Sequence, residues 1–79
     1  MAGSKKKKQA DERLRIGTKI KERRQKKRLT LEDLATKTGL TKSVLTMMEK
    51  DETVPPLGTL LKLSKALDIS MAYFFEDEV

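Results

Sequence analysis

The sequence predicts an all-α domain of five short helices. Apolar residues recur at helical spacing, most clearly at Leu60, Leu61, Leu63 and Leu67. Helix-capping residues, glycine and proline divide the chain at short intervals. Nowhere do four to eight β-branched or aromatic residues alternate with polar ones, so no strand is expected.

The elements follow in order. Residues 1–10, MAGSKKKKQA, are polar and read as a disordered basic arm, leaving residues 11–79 as the domain. Residues 11–28 carry Leu14, Ile16 and Ile20 in a charged background, which predicts a largely solvated helix with a narrow apolar stripe. Gly17 weakens that helix without forbidding it. Thr30 is a good N-cap for a helix over 31–38, whose first turn holds Glu32 and Asp33. Gly39 suits the left-handed residue that closes it. Thr41 caps a third helix over 42–50. Pro55 and Pro56 enforce a loop over 51–56, followed by a helix over 57–67. Ser70 caps a last short helix over 71–75, and residues 76–78 are acidic.

Composition removes whole classes of function. A chain of 79 residues makes one small domain with a thin stability margin. Without cysteine there is no disulfide framework, thiolate metal site or cysteine nucleophile. Histidine, the commonest metal ligand and general base, is also absent. No nucleophile–base pair and no metal cluster is visible, so the chain reads as a non-enzyme without cofactor. With no bilayer-spanning run and no signal-peptide core, it reads as cytoplasmic, in contact with the nucleoid and not with membrane.

Charge is the informative quantity. The net charge is +6, but residues 1–50 hold 16 basic and 6 acidic residues, whereas residues 51–79 hold 2 basic and 6 acidic. The chain therefore has a +10 half and a −4 half. A polyanion, nucleic acid above all, suits the basic half.

The segment LEDLATKTGLTKSVLTMMEK over 31–50 carries the functional pattern. Two short helices meet at Gly39, with small Ala35 one turn earlier where they must cross closely. Leu34, Leu40, Leu45 and Met48 aim at a common interior. Lys42, Ser43, Thr46 and Met47 lie on the other face of the second helix. A buried hinge followed by a helix with a free polar face is what a helix-turn-helix needs. Such a second helix fits the major groove.

IGTKIKERRQKKRLTLEDLATKTGLTKSVLTMMEK followed by VPPLGTLLKLSKALDISMAYFF resembles the lambda-repressor-like, Cro/CI-type (XRE) helix-turn-helix family of bacterial and phage regulators. The resemblance implies a five-helix bundle that binds a double-stranded DNA operator sequence-specifically as a repressor or activator, usually as a homodimer. It is closest to the N-terminal reading heads of regulators that carry a C-terminal cupin sensor, so a sensor domain outside these 79 residues is one expectation. By position it implies base-edge contact from Lys42, Ser43, Thr46 and Met47. It assigns phosphates to Arg28, Thr30 and Thr41, and Lys27 and Lys50 on the same basic rim are expected to contact phosphate as well. It pairs Arg24 with Glu49, read here as a buried pair that sets an interhelical angle and not as a DNA contact.

Three departures from the family pattern stand out. Leu31 replaces a frequent glutamine, Arg28 replaces a frequent turn glycine, and Asp51-Glu52 is acidic where relatives often carry lysine or arginine. Arg28 is expected to strain its turn, and the acidic loop to stand off from DNA. The competing reading is a protein-interaction module or antitoxin reusing the same fold. Lys5–Lys8 serve either as a DNA-following arm or as a solvated tail. Of Tyr73, Phe74 and Phe75, Phe74 is expected in the core and the others at a dimer interface or beneath a further domain.

Overall fold

The computed structural model describes residues 15–76. The basic arm, residues 11–14 including Leu14, and residues 77–79 lie outside them. The described chain comprises four α-helices, α1 (Ile16–Lys26), α2 (Leu31–Thr38), α3 (Lys42–Glu49) and α4 (Leu57–Leu67), and a final 3₁₀ turn, Met71–Phe75. The expected fifth α-helix is thus a 3₁₀ turn. Ser70 has the extended backbone of an N-cap, but its side chain makes no capping bond, and five residues are too few to sustain the α pattern. The first helix is also shorter than expected among the described residues. Arg15 sits at φ 41° and ψ 49°, a left-handed conformation that cannot belong to the helix after it.

The capping residues explain the other boundaries. The Thr30 side chain accepts from Asp33 N–H while Asp33 accepts from Thr30 N–H, so each satisfies an amide the helix leaves open. Thr41 accepts from Val44 N–H at 3.1 Å. Gly39, at φ 79°, closes α2 with its N–H on Ala35 O. Helices α1, α3 and α4 close instead on Arg28, Asp51 and Asp68, all at positive φ. Each supports a pair of closing bonds; for α1 these are Arg28 N–H to Gln25 O and Leu29 N–H to Arg24 O, both 2.9 Å. Arg28 therefore occupies, at φ 58°, a glycine-type conformation that is strained for a residue with a Cβ.

The core is Ile16, Ile20, Leu34, Leu45, Met48, Leu60, Leu63, Leu67 and Phe74, with every described helix contributing. Leu40 only leans against it. Leu61, one of the four expected stripe residues, is instead exposed, because it lies on the outer side of α4. Thr38 is buried without penalty, since its hydroxyl donates to Leu34 O at 2.8 Å and accepts from Leu40 N–H.

Two features escaped the sequence reading. Lys19 is 4 % exposed. Its ammonium donates to the carbonyls of Tyr73 and Glu76 and lies 5.5 Å from the Tyr73 ring centre. A buried cation is tolerable only with such partners. Gly17 marks where α1 touches the end of α3: a Cβ there would fall 2.1 Å from Met48 O. Alanine at Gly17 must force the two backbones apart, and overpacking of this kind costs about 1–3 kcal/mol. Gly17→Ala is expected to lower Tm despite alanine's higher helix propensity; an unchanged or raised Tm would show that the contact yields freely.

The capping box adds a pH signature. The Thr30 backbone N–H, and after it the Thr30 side chain, holds the exposed Asp33 carboxyl below its ordinary range. A depressed carboxylate stabilises the fold above its unfolded pKa, and the gain disappears as pH falls through the folded value. Melts of wild type and Asp33→Ala should therefore differ at pH 7 and converge below about pH 4. A gap of the same size at pH 3 would assign the effect to something other than ionisation.

Candidate nucleic-acid interface

The candidate surface is built on α2 and α3. Helix α3 shows Leu45 and Met48 to the core and Lys42, Ser43 and Met47 to solvent. Met47 is 43 % exposed whereas neighbouring Met48 is 4 % exposed, so adjacent residues take opposite roles. Thr46 departs from expectation: it is half-buried on the flank of the helix and not on its crest.

At the N-terminal end of α3 the surface dips into a shallow open hollow lined by Arg24, Gln25, Arg28, Leu29, Thr30, Leu31, Glu32 and Lys42. It brings Arg28, Thr30 and Lys42 to one concavity, although they are up to 14 positions apart in sequence. Thr30, Leu31 and Glu32 place the start of α2 in its lining, and a helix N-terminus favours anions. The Thr30 and Thr41 hydroxyls each accept one capping bond. A hydroxyl in that state still has a proton to donate. Leu31, in the place of a frequent glutamine, offers no polar group to the hollow.

The remaining basic residues are placed differently. Lys27 lies 3.9 Å from the Asp68 carboxylate at the end of α4, a loose and exposed ion pair. Lys50 is the exposed C-cap of α3. Neither Lys27, Lys50 nor Thr41 lines the hollow.

Behind the surface, the Arg24 guanidinium grips Glu49 with two bonds, Nε to Oε2 at 2.6 Å and Nη2 to Oε1 at 3.1 Å. Its Nη1 donates to Leu29 O at 2.9 Å. Both side chains are largely buried, 12 % and 7 % exposed. The Glu49 bond raises the Arg24 pKa above its ordinary value, against the opposing effect of burial. The pair joins α1, the turn before α2 and the last turn of α3, and so fixes how these elements lie against one another.

The acidic loop has an unexpected place. Asp51 Oδ1 accepts from Gly17 N–H at 2.8 Å, so its carboxylate is engaged on the start of α1. Nothing in the local sequence signalled this bond, which spans 34 positions. Among the described residues, no group of three or more acidic, histidine or cysteine side chains could hold a metal ion. No helix there is long and apolar enough to cross a membrane.

The helix-turn-helix family profile matches residues 20–74. The chain belongs to the Cro/CI-type helix-turn-helix family. It is 35 % identical over 68 residues to the HTH-type transcriptional regulator PuuR of Escherichia coli, an alignment covering 86 % of this chain and 37 % of PuuR. The chain thus spans little more than a third of that relative. The fold is similar to the biofilm master regulator SinR solved in complex with DNA, with a TM-score of 0.73 and 35 % identity, covering 77 % of this chain and 98 % of that one. It is also similar to the P22 c2 repressor in complex with a synthetic operator, with a TM-score of 0.72 and 33 % identity, covering 76 % and 91 %.

The Arg24–Glu49 geometry generates a stability test. Removing one member of a buried pair strands the other and costs about 3–5 kcal/mol. Glu49→Ala should lose stability on that scale in urea denaturation, and a midpoint equal to wild type would show the pair to be dispensable.

Proposed function

We propose that this chain is a sequence-specific, duplex-DNA-binding transcriptional regulator, not an enzyme, that reads the major groove with α3. The observation that carries the reading is geometric. A short rigid helix presents Lys42, Ser43 and Met47 outward, and the anion-favouring hollow at its N-terminal end gathers Arg28, Thr30 and Lys42. Lys42 and Ser43 donate to base edges, the Met47 side chain meets a thymine methyl, and Thr46 joins them from the flank. Arg28, Thr30 and Thr41 hold phosphates and set the register; Lys27 and Lys50 add to the basic rim. The likeness to SinR and P22 c2, both solved with DNA, supports the same docking.

The chain acts as a homodimer on a two-fold or repeated operator in the cytoplasm. One module of this size buries little DNA surface alone. At the aromatic end Phe74 is buried and Phe75 is exposed, as expected, whereas Tyr73 is half-buried, with Lys19 and Arg23 against its ring. Exposed Val54, Leu57 and Leu61 at the start of α4 offer a second copy an apolar face. Of the two acidic loop residues, Asp51 has its carboxylate engaged on the start of α1.

Selection of bound sequences from random duplexes tests the proposal and should return two related half-sites. No enrichment at low salt would end it. Against the selected site, Lys42→Ala should lose about 1–3 kcal/mol and relax preference at one base pair; a uniform loss over all sequences would make Lys42 a phosphate contact. Arg28→Gly separates two roles. It should raise stability by about 0.5–1 kcal/mol by relieving the positive φ. It should also reduce the slope of log affinity against log salt by about one.

A further inference from the structure

We propose that Asp51 is a positioning residue for DNA reading: it caps α1 from outside that helix and thereby fixes where the C-terminal end of α3 lies. The inference rests on the DNA-binding reading above and adds to it a residue that touches no DNA.

Three observations converge on Asp51. Helix α1 begins on Arg15, in a left-handed conformation, and the first-turn amides of a helix have no acceptor within the helix itself. Asp51 Oδ1 supplies one, 2.8 Å from Gly17 N. Its negative charge also lies at the positive end of the α1 dipole.

The second observation is the absence of slack. A Cβ on Gly17 would fall 2.1 Å from Met48 O and 2.8 Å from Asp51 Oδ1. At Met48 O the contact is backbone against backbone, and the other close atoms belong to the Asp51 carboxylate that accepts from Gly17 N–H, so a shift of α1 against α3 disturbs the cap.

The third is that the same residue terminates α3. At φ 60°, Asp51 turns the chain so that its own N–H donates to Met48 O and Glu52 N–H donates to Met47 O. Met47 is one of the base-facing residues, so the turn that carries it is closed by Asp51. The Arg24–Glu49 pair holds this last turn at a point two residues earlier. One anchor fixes a position but leaves a pivot. The second anchor, at Asp51, removes the pivot and sets the angle at which α3 enters the groove.

The test compares wild type, Asp51→Gly and Asp51→Asn on the 79-residue chain. Binding to the selected duplex and to a scrambled duplex is measured well below each variant's own Tm. Glycine keeps the positive φ without strain but removes the acceptor; asparagine keeps an acceptor oxygen and tolerates the same φ. Asp51→Gly should lower the ratio of selected to scrambled affinity about tenfold, or about 1.4 kcal/mol. Its salt slope should be unchanged. Asp51→Asn should stay within about twofold of wild type. An unaltered ratio in Asp51→Gly, or an equal fall in Asp51→Asn, overturns the proposal. So does a gain for both duplexes with a steeper salt slope, which would make Asp51 merely a repulsive charge facing phosphate. Exchange of the Gly17 amide in free protein serves as a check independent of folding yield: slow exchange in wild type and Asp51→Asn is expected, and fast exchange in wild type overturns the cap. If wild type binds neither duplex, the DNA-binding reading itself falls; if wild type discriminates and Asp51→Gly discriminates equally, only the positioning role falls.

Discussion

The close approach of α1 to the last turn of α3 is the constraint on which the rest of the structure depends. At Gly17 the two backbones meet with no side chain between them, and the Asp51 carboxylate closes the contact. The Arg24–Glu49 pair closes the neighbouring side of the same turn. A helix of eight residues has little rigidity as an isolated element. Its orientation has to be imposed from outside, and α1 imposes it through one backbone contact, one capping bond and one forked ion pair. Helix α1 is the frame of the domain, although its sequence looks the least globular of the four.

The distribution of charge follows the same logic. The domain is strongly basic, yet some of its cations do not face solvent. Arg24 and Lys19 are turned inward with partners that offset desolvation: a carboxylate and a carbonyl for Arg24, two carbonyls and a ring face for Lys19. Lys19 also ties the 3₁₀ turn to α1, so the last described residues are held on the same frame as α3. The outward cations around the α2–α3 corner are the ones left for a polyanion. Net charge therefore overstates how many residues can meet a polyanion.

The helix ends show how local chemistry and function share atoms. Thr30 and Thr41 accept bonds from backbone amides, which sets the starts of α2 and α3, while each hydroxyl retains a proton that can be donated. Arg28 accepts a conformation better suited to glycine and places a long cation beside the hollow at the start of α2. Its conformational strain and its location belong together, because the turn that strains the residue is also the turn that points it there.

Much of this was legible in the sequence, because caps, breakers and apolar spacing act within a few residues. Thr30, Gly39, Thr41 and the two prolines delimit α2, α3 and α4 through bonds and torsions that any local context would allow. The split between Met47 and Met48 follows from helical spacing alone. Other features depend on groups far apart in the chain. Gly17 looked like a weakness in a helix and is a point of contact; Asp51 looked like a charge that keeps its loop off DNA and is a cap; Lys19 looked solvated and is buried; Leu61 looked like core and is exposed. The sequence determined which segments are helical, where they stop and which sign of charge they offer. Tertiary structure decided which of those charges are available and at what angle α3 is held. Capping and periodicity are short-range interactions, whereas desolvation and backbone contact depend on partners that only folding brings within reach.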